Sequence, residues 1–176
     1  MRVVGGIHRG RILTRVMKET TRETADMVKV AVFNMLENQC YGTVLDLFAG
    51  SGAYGIEAIS RGAEKVYFVD SDRDAIKTIE KNIKMLKEEH RASLHMMSYE
   101  RFIENPMIKF DYIFLDPPYV MDIYENAIKK LEPHINDPGY VICESEKKIT
   151  LPDEISSLKK IKDKTYGIKR ITIYQK

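Results

Sequence analysis

The sequence predicts an α/β fold, a doubly wound and mostly parallel sheet of seven strands with helices on both faces. Five short apolar runs rich in β-branched or aromatic residues recur after about residue 43, namely TVLDLF, KVYFVD, SLHMM, FDYIFLD and GYVICES. Helical patterns separate these runs, and strands that alternate with helices form parallel βαβ units. The last segment, LKKIKDKTYGIKRITIYQK, has a Tyr166-Gly167 pair between two alternating runs, which predicts a C-terminal antiparallel hairpin.

Two of the intervening segments have apolar residues at helical spacing. Residues 73 to 88 place one set on a single face: Ile76, Ile79, Ile83 and Leu86. Ser71 and Asp74 precede and open this helix at the spacing of a capping box. Residues 121 to 131 place a second set on one face, with Pro133 beyond it to end the helix: Tyr124, Ala127, Ile128 and Leu131.

The first 40 residues form a separate piece that we expect to pack on the main domain, residues 41–176. RVVGG and RILTRV flank IHRG, which predicts a small β-hairpin with an arginine-rich tip. An amphipathic helix is predicted from about Thr24 to Asn38 by apolar residues at helical spacing: Val28, Ala31, Val32, Met35 and Leu36.

Composition describes an ordinary soluble globular protein of 176 residues, 44% of them hydrophobic and 31% charged. We expect no signal peptide or membrane span, because no sustained apolar segment is present. Two cysteines and four scattered histidines lack ligand spacing, so we expect no metal and no disulfide, as in a cytoplasmic protein. Residues 1–30 carry a net charge of +4 and residues 147–176 carry +6, around a centre of −8. Basic ends can bind a polyanion, although a solvated surface is the commoner meaning.

The stretch LDLFAGSGAYG, residues 45 to 55, is the first motif that carries chemistry. Gly50, Gly52 and Gly55 have the spacing G-x-G-x-x-G after a predicted strand, which directs backbone N–H groups and a helix N-terminus at a bound cofactor. Asp70 ends the next strand, where a carboxylate accepts hydrogen bonds from ribose hydroxyls. These features suit NAD and S-adenosylmethionine alike. Asp46 favours S-adenosylmethionine, because a carboxylate beside the loop repels a pyrophosphate and attracts the methionyl ammonium.

The second motif is FDYIFLDPPYV, residues 110 to 120. Proline cannot continue the hydrogen-bond ladder of a central strand, so the chain turns at Asp116-Pro117-Pro118-Tyr119, beside the glycine loop. A stiff proline turn can be purely structural. As a site, Asp116 and the Pro117 carbonyl accept the two N–H bonds of an exocyclic amino group, which localises its lone pair for attack on a sulfonium methyl. Tyr119 stacks on an extruded base.

LDLFAGSG together with DPPY resembles the class I, Rossmann-like amino-group methyltransferases that use S-adenosylmethionine. The order RVVGGIHRGRIL, TRETADMVKVAVFNML, LDLFAGSGAYGIEAISRGA and FDYIFLDPPY resembles the bacterial family that methylates guanine N2 of 16S ribosomal RNA. The resemblance covers nearly the entire chain, and its specific part is the amino-terminal segment.

The resemblance implies a set of functional residues. Cofactor contacts are expected from Asp46, Phe48, Gly50, Ser51, Gly52, Asp70, Ser71, Ser98 and Tyr99, with Asp116, Pro117, Pro118 and Tyr119 as the catalytic segment. Arg22 and Thr24 match an Arg-Pro-Thr segment near the family's active site, with Glu23 in place of the proline. Lys29 stands where an arginine is usual, and Asp70 where a glutamate is common. Ser98 stands where the class has an acidic contact to the adenine amino group.

The expected partner is small-subunit ribosomal RNA, and the family's substrate implies an assembling subunit with ribosomal proteins around it. RNA contacts are expected from the basic amino-terminal cluster, including Arg9, Arg11, Arg15, Arg22 and Thr24. The resemblance further implies a cytoplasmic monomer without metal or membrane. Three alternatives stay open: an adenine-N6 methyltransferase, a non-catalytic RNA-binding assembly factor, and a nicotinamide oxidoreductase that has no use for the DPPY turn.

Overall fold

Helices and strands alternate along the chain in the computed structural model, which describes residues 1–16, 22–104, 108–118 and 123–176 and, over 22–25, the backbone alone. The helices are α1 (Arg22–Met35), α2 (Ala53–Ser60), α3 (Arg73–Leu86), α4 (Tyr99–Ile103) and α5 (Tyr124–Leu131). The strands are β1 (Thr43–Asp46), β2 (Lys65–Asp70), β3 (Ala92–Met96), β4 (Phe110–Leu115), β5 (Ile135–Glu146), β6 (Glu154–Ile155), β7 (Leu158–Tyr166) and β8 (Lys169–Gln175). Short 3₁₀ turns cover Glu89–Arg91 and Glu132–His134.

One sheet contains all of these strands, in the order β3-β2-β1-β4-β5-β8-β7-β6. Strands β1 to β5 pair in parallel, whereas β8, β7 and β6 continue the sheet in antiparallel pairs. The predicted parallel sheet and C-terminal hairpin are therefore confirmed. The described residues add β6 as an eighth strand at the edge, and its two residues are too few to show a strand period in the sequence.

The side chains of alternate strand residues supply two cores. On one face, Phe68 and Phe114 pack with α1, α2 and α3. On the other, Leu45 and Ile113 pack with α4 and α5. Because successive side chains of a strand point to opposite faces, each parallel strand needs apolar residues at nearly every position. That requirement explains the continuous apolar runs of the sequence and confirms the doubly wound arrangement.

Helix α3 begins one residue later than the capping spacing predicts. Asp72, rather than Ser71, is its N-cap, and the Asp72 carboxylate accepts a hydrogen bond from the Asp74 backbone N–H at 2.8 Å. Both residues can cap a helix, and the carboxylate also complements the helix dipole. Ser71 thereby stays at the carboxyl end of β2, on the side where a ligand binds in this kind of sheet.

The amino-terminal segment folds back on itself and is held against the main domain by hydrogen bonds. Arg2 and Ile12 form an isolated antiparallel pair, a narrower version of the predicted hairpin. The buried Asn82 side chain of α3 both donates to and accepts from the backbone of Thr14, at 2.9 and 2.8 Å. The Val16 N–H donates to the Ser51 hydroxyl at 2.9 Å. These bonds bring the segment to the edge of the glycine turn.

Candidate active site

A cavity of about 830 Å³ opens over the carboxyl ends of the parallel strands. It spans the boundary between β1 and β4, where the strand order reverses and where ligands bind in doubly wound sheets. We divide its wall into two parts. The cofactor half lies over β1, β2 and β3 and includes Phe48, Gly50, Asp70, Ser71, Ser98 and Tyr99. The target half lies over β4, β5 and β8 and includes Asp116, Pro117, Pro118 and Lys169.

The glycine turn forms the floor of the cofactor half. Gly52 is the N-cap of α2 and has a φ of 80°, a left-handed conformation that favours glycine. Gly55 lets α2 lie close to β2, since a Cβ at that position would come within 2.2 Å of the Phe68 ring. The spacing of the motif thus serves both a tight turn and close packing of helix on sheet, as a dinucleotide-type turn requires.

Asp70 braces this turn from the neighbouring strand. One carboxylate oxygen accepts from the Gly50 N–H and the other from the Asp72 N–H, each at 2.8 Å. A carboxylate offers about four acceptor sites, so two backbone bonds leave capacity for ribose hydroxyls. The predicted ribose acceptor therefore lines the cavity and also fixes the position of the loop below it.

An aromatic and hydroxyl-bearing wall completes the cofactor half. The rings of Phe48 and Tyr99 lie 5.1 Å apart at an angle of 44°. Ser98 is the N-cap of α4, and its hydroxyl accepts from the Arg101 N–H at 3.4 Å. Met97 and Glu100 join this wall, although no sequence motif marks either residue. Glu100 is one helical position after Tyr99, so an acidic side chain does lie beside the predicted adenine contact.

Three of the expected cofactor residues belong to or adjoin the glycine turn but do not line the cavity: Asp46, Ser51 and Gly52. The Asp46 carboxylate is buried and accepts from the Gly55 N–H at 2.8 Å, so it holds the first turn of α2. Burial raises the pKa of Asp46 to about 7. The contact that the structure shows for this carboxylate is with backbone, and its expected interaction with the methionyl ammonium stays a prediction.

The target half begins where β4 ends at Leu115. Asp116 is half-buried, Pro117 is buried and Pro118 is exposed, and all three line the cavity at the ends of the strands. Acceptors held on a stiff proline turn suit a ligand with two N–H bonds. Tyr119 lies outside the described residues, and its stacking role stays a prediction.

A buried polar cluster underlies the target half, and sequence reasoning missed it. Glu144 on β5 is buried, forms an ion pair with Lys169 on β8 and accepts a hydrogen bond from the Tyr54 hydroxyl. Burial, and then the negative charges of Glu144 and Asp116, raises the pKa of Tyr54 well above its ordinary value, so this hydroxyl stays a donor. A lysine within a C-terminal hairpin and a glutamate within an apolar run carry no motif, so only the fold brings them together.

Among the described residues, the arginines expected to bind RNA do not line the cavity. Arg9 and Arg11 are exposed on the amino-terminal turn, and Arg15 is half-buried next to Val16, which is bonded to the glycine turn. The side chains of Arg22 and Thr24 fall outside the described residues. The structure thus places a basic segment beside the site but leaves its RNA contacts as a prediction.

Lys29 has a buried role in anchoring that segment. Its ammonium donates to the Arg2 carbonyl at 2.7 Å and lies 3.4 Å from the buried Glu57 carboxylate. Glu57 also accepts from the Val4 N–H at 2.9 Å and pairs with Arg61 at 2.8 Å. Burial lowers the pKa of Lys29. Lys29 therefore holds the amino-terminal turn in place from the protein interior.

A second groove, of about 880 Å³, lies between α1 and the β7 strand. It is lined by apolar α1 residues such as Met27 and Val30 and contains neither motif. Among the described residues, no group of three or more potential ligand side chains is arranged to hold a metal ion. No helix in the described part of the chain has the length and apolar content needed to cross a membrane. Both sequence motifs line the cavity at the carboxyl ends of the strands, so that cavity is the candidate active site.

Comparison with known proteins gives a consistent family assignment. The family model described as conserved hypothetical protein 95 matches residues 1–175. Ribosomal RNA small subunit methyltransferase D of Haemophilus influenzae is 36% identical over 99% of this chain and 93% of its own length. The protein of the same name from Escherichia coli K12 is 30% identical over 100% of this chain and 90% of its own.

Solved structures also resemble this chain over most of its length. The Escherichia coli protein yhhF superposes with a TM-score of 0.88 at 28% identity, covering 100% of this chain and 97% of that one. A conserved hypothetical protein from Streptococcus pyogenes gives a TM-score of 0.80 at 41% identity, covering 84% of this chain and 94% of that one. The whole fold, including the amino-terminal segment, is therefore shared with the Escherichia coli protein.

Proposed function

The chain belongs to the conserved hypothetical protein 95 family, with the ribosomal RNA small subunit methyltransferase D proteins, and on that premise we propose that it methylates N2 of a guanine in 16S ribosomal RNA. One observation carries the proposal. A single cavity joins the Asp116-Pro117-Pro118 turn to the wall formed by Asp70, Ser98 and Tyr99. A methyl donor and an amino acceptor thus have adjoining places in one site.

The methyl donor is S-adenosylmethionine, and the residues of the cofactor half fit it. Asp70 supplies acceptors for ribose hydroxyls, and the Phe48 and Tyr99 rings offer an apolar wall for the adenine base. The Ser98 hydroxyl and the Glu100 carboxylate add polar groups beside that wall. When bound, the cofactor supplies an electrophilic sulfonium methyl group, so the protein itself needs to activate only the nucleophile.

The residues of the target half activate the amino nitrogen. The lone pair of an exocyclic amine is delocalised into the base, which makes this nitrogen a weak nucleophile. The Asp116 carboxylate and the Pro117 carbonyl accept its two N–H bonds and draw the lone pair back to nitrogen. The nitrogen gives up one proton after it is methylated, and Asp116 or water accepts that proton. Tyr119 stacks on the extruded base.

The amino-terminal segment supplies the RNA contacts. Arg9 and Arg11 are exposed on the turn, and Arg15 follows them toward the glycine turn. Arginines bind phosphate oxygens in the RNA backbone, whereas the residues of the cavity recognise the base. Arg22 and Thr24 continue this segment along the chain and are assigned the same role.

The test is methyl transfer from labelled S-adenosylmethionine to small ribosomal subunits from cells that lack the enzyme. The RNA is then hydrolysed and its nucleosides are separated. We expect the label in N2-methylguanosine. Label in N6-methyladenosine would replace the proposal with adenine methylation, and no transfer by a protein that binds the cofactor would remove ribosomal RNA as its substrate.

A further inference from the structure

The ion pair between Lys169 and Glu144 occupies a position in the target half that the proposed reaction leaves without a role. Lys169 lines the same cavity as Asp116, Pro117 and Pro118, with 19% of its side chain exposed. Glu144 is only 8% exposed and fixes the lysine from below. An ammonium held in place at a cavity wall is a hydrogen-bond donor presented to whatever enters that cavity.

Strand geometry places this ammonium near the catalytic turn. Leu115 pairs with Cys143 in the parallel register, so Asp116 and Glu144 follow at the same level on neighbouring strands. Besides burial, the negative charges of both raise the pKa of Tyr54, so both carboxyl groups lie near that hydroxyl. Neighbouring strands lie about 4.8 Å apart. Lys169 starts β8, the next strand after β5, pairs with Glu144 and lines the same cavity as Asp116.

We propose that Lys169 is a specificity-determining residue, whose ammonium donates a hydrogen bond to the carbonyl oxygen O6 of the target guanine. This inference rests on the proposed function. N2, N1 and O6 share one edge of guanine, so a base that offers its amino group to Asp116 needs a donor further along that edge. Adenine has no carbonyl there, so a carboxylate next to an ammonium distinguishes guanine from adenine.

Glu144 acts as the positioning residue for Lys169. Its carboxylate accepts from the Tyr54 hydroxyl, and the Tyr124 hydroxyl donates to its backbone carbonyl at 2.7 Å. Tyr54 is in turn stacked on Phe114, with ring centroids 5.0 Å apart at 9°. These contacts hold Glu144 in one place, so the lysine loses little conformational freedom when a base binds.

The experiment compares Lys169→Met, Lys169→Arg and Lys148→Met in methyl transfer to unmodified small subunits. Lys148 is the matched control, because it also pairs with a glutamate, at 2.7 Å from Glu146, but is 81% exposed. We expect Lys169→Met to lower kcat/KM by roughly 10- to 100-fold. Lys169→Arg should keep most of the activity, Lys148→Met should match the wild type, and the Kd for S-adenosylmethionine should stay unchanged in all three.

Two further measurements keep the inference falsifiable. Lys169→Met leaves a buried carboxylate without its cation, so the double variant Glu144→Gln/Lys169→Met is included as a folded form without either charge. It should show the same loss of kcat/KM. The salt dependence of KM separates a base contact from a phosphate contact, since removing a lysine that binds phosphate lowers the slope by about one. An unchanged slope supports the carbonyl, and a lowered slope overturns it.

The outcomes for the two proposals are distinct. If wild-type enzyme forms no N2-methylguanosine, the proposed function itself fails. If wild-type enzyme forms it and both Lys169→Met and the double variant work equally well, only the role of Lys169 fails. A parallel loss of cofactor affinity in Lys169→Met would move the residue to the cofactor half and overturn the assignment.

Discussion

The two halves of the cavity use their acidic residues differently. In the cofactor half, Asp70 and the underlying Asp46 accept hydrogen bonds from backbone N–H groups of the glycine turn. In the target half, Glu144 is engaged by side chains, Lys169 and Tyr54, next to Asp116. The first arrangement fixes the course of the main chain, whereas the second presents charged groups to a ligand. Under the proposed function, one half holds a constant cofactor and the other selects and activates a base.

The largest effect should come from the target half. Asp116→Ala removes one acceptor for the amino group, and we expect kcat to fall by about 10²- to 10³-fold. The Kd for S-adenosylmethionine should stay near the wild-type value, because the cofactor half is untouched. Single-turnover methyl transfer and calorimetric cofactor binding measure the two quantities. Unchanged turnover by a folded Asp116→Ala protein would disprove the proposed role of this carboxylate.

The opposite pattern is expected in the cofactor half. Asp70→Asn leaves one acceptor oxygen for two backbone donors and places an NH₂ group against one of them, so the glycine turn loses a brace. We expect the Kd for S-adenosylmethionine to rise roughly 10- to 100-fold, with a smaller change in kcat at saturating cofactor. Asp74→Asn, an exposed acid at the start of α3, is the control and should bind normally. Equal losses of kcat and cofactor affinity in Asp70→Asn would contradict the separate roles of the two halves.

The cofactor half was also the easier one to predict from sequence. The glycine spacing and Asp70 are local motifs at strand ends that the sheet brings into one cavity, whereas the DPP turn is the one motif that marks the target half. Lys169 lies far beyond Asp116 in sequence, and only the antiparallel placement of β8 next to β5 brings it to the site. For Asp46 the motif predicts the position beside the loop, and the structure adds a contact that the motif does not specify, the bond from the Gly55 N–H in the first turn of α2.

A third test concerns the buried support of the cofactor half. The pKa of Asp46 is raised to about 7 by burial, so the folded protein keeps a proton that the unfolded chain loses near pH 4. Unfolding then releases a proton between these values, and Asp46 makes stability fall as pH rises from about 4 to about 7. Asp46→Asn removes this dependence while keeping an acceptor for Gly55.

The free energy of unfolding of Asp46→Asn should therefore rise relative to wild type by on the order of 2 kcal/mol between about pH 5.5 and about pH 8.5. Urea denaturation at the two pH values measures the difference. If the free energy of unfolding changes equally with pH in the two proteins, the Asp46 carboxyl titrates normally and its burial does not destabilise the fold.

The smallest effect is expected outside both halves, on the amino-terminal turn. Arg9→Ala/Arg11→Ala removes two exposed charges and should weaken binding to small subunits by roughly 3- to 10-fold at moderate salt, because phosphate contacts are individually weak. The slope of log K against log salt should fall by about one for each arginine–phosphate pair that the variant removes, with kcat unchanged. Lys129→Ala/Lys130→Ala removes the same charge from α5, on the opposite face of the sheet, and should leave the slope alone. Equal slopes for both double variants would reduce the arginine cluster to general surface charge and leave RNA selection to the target half alone.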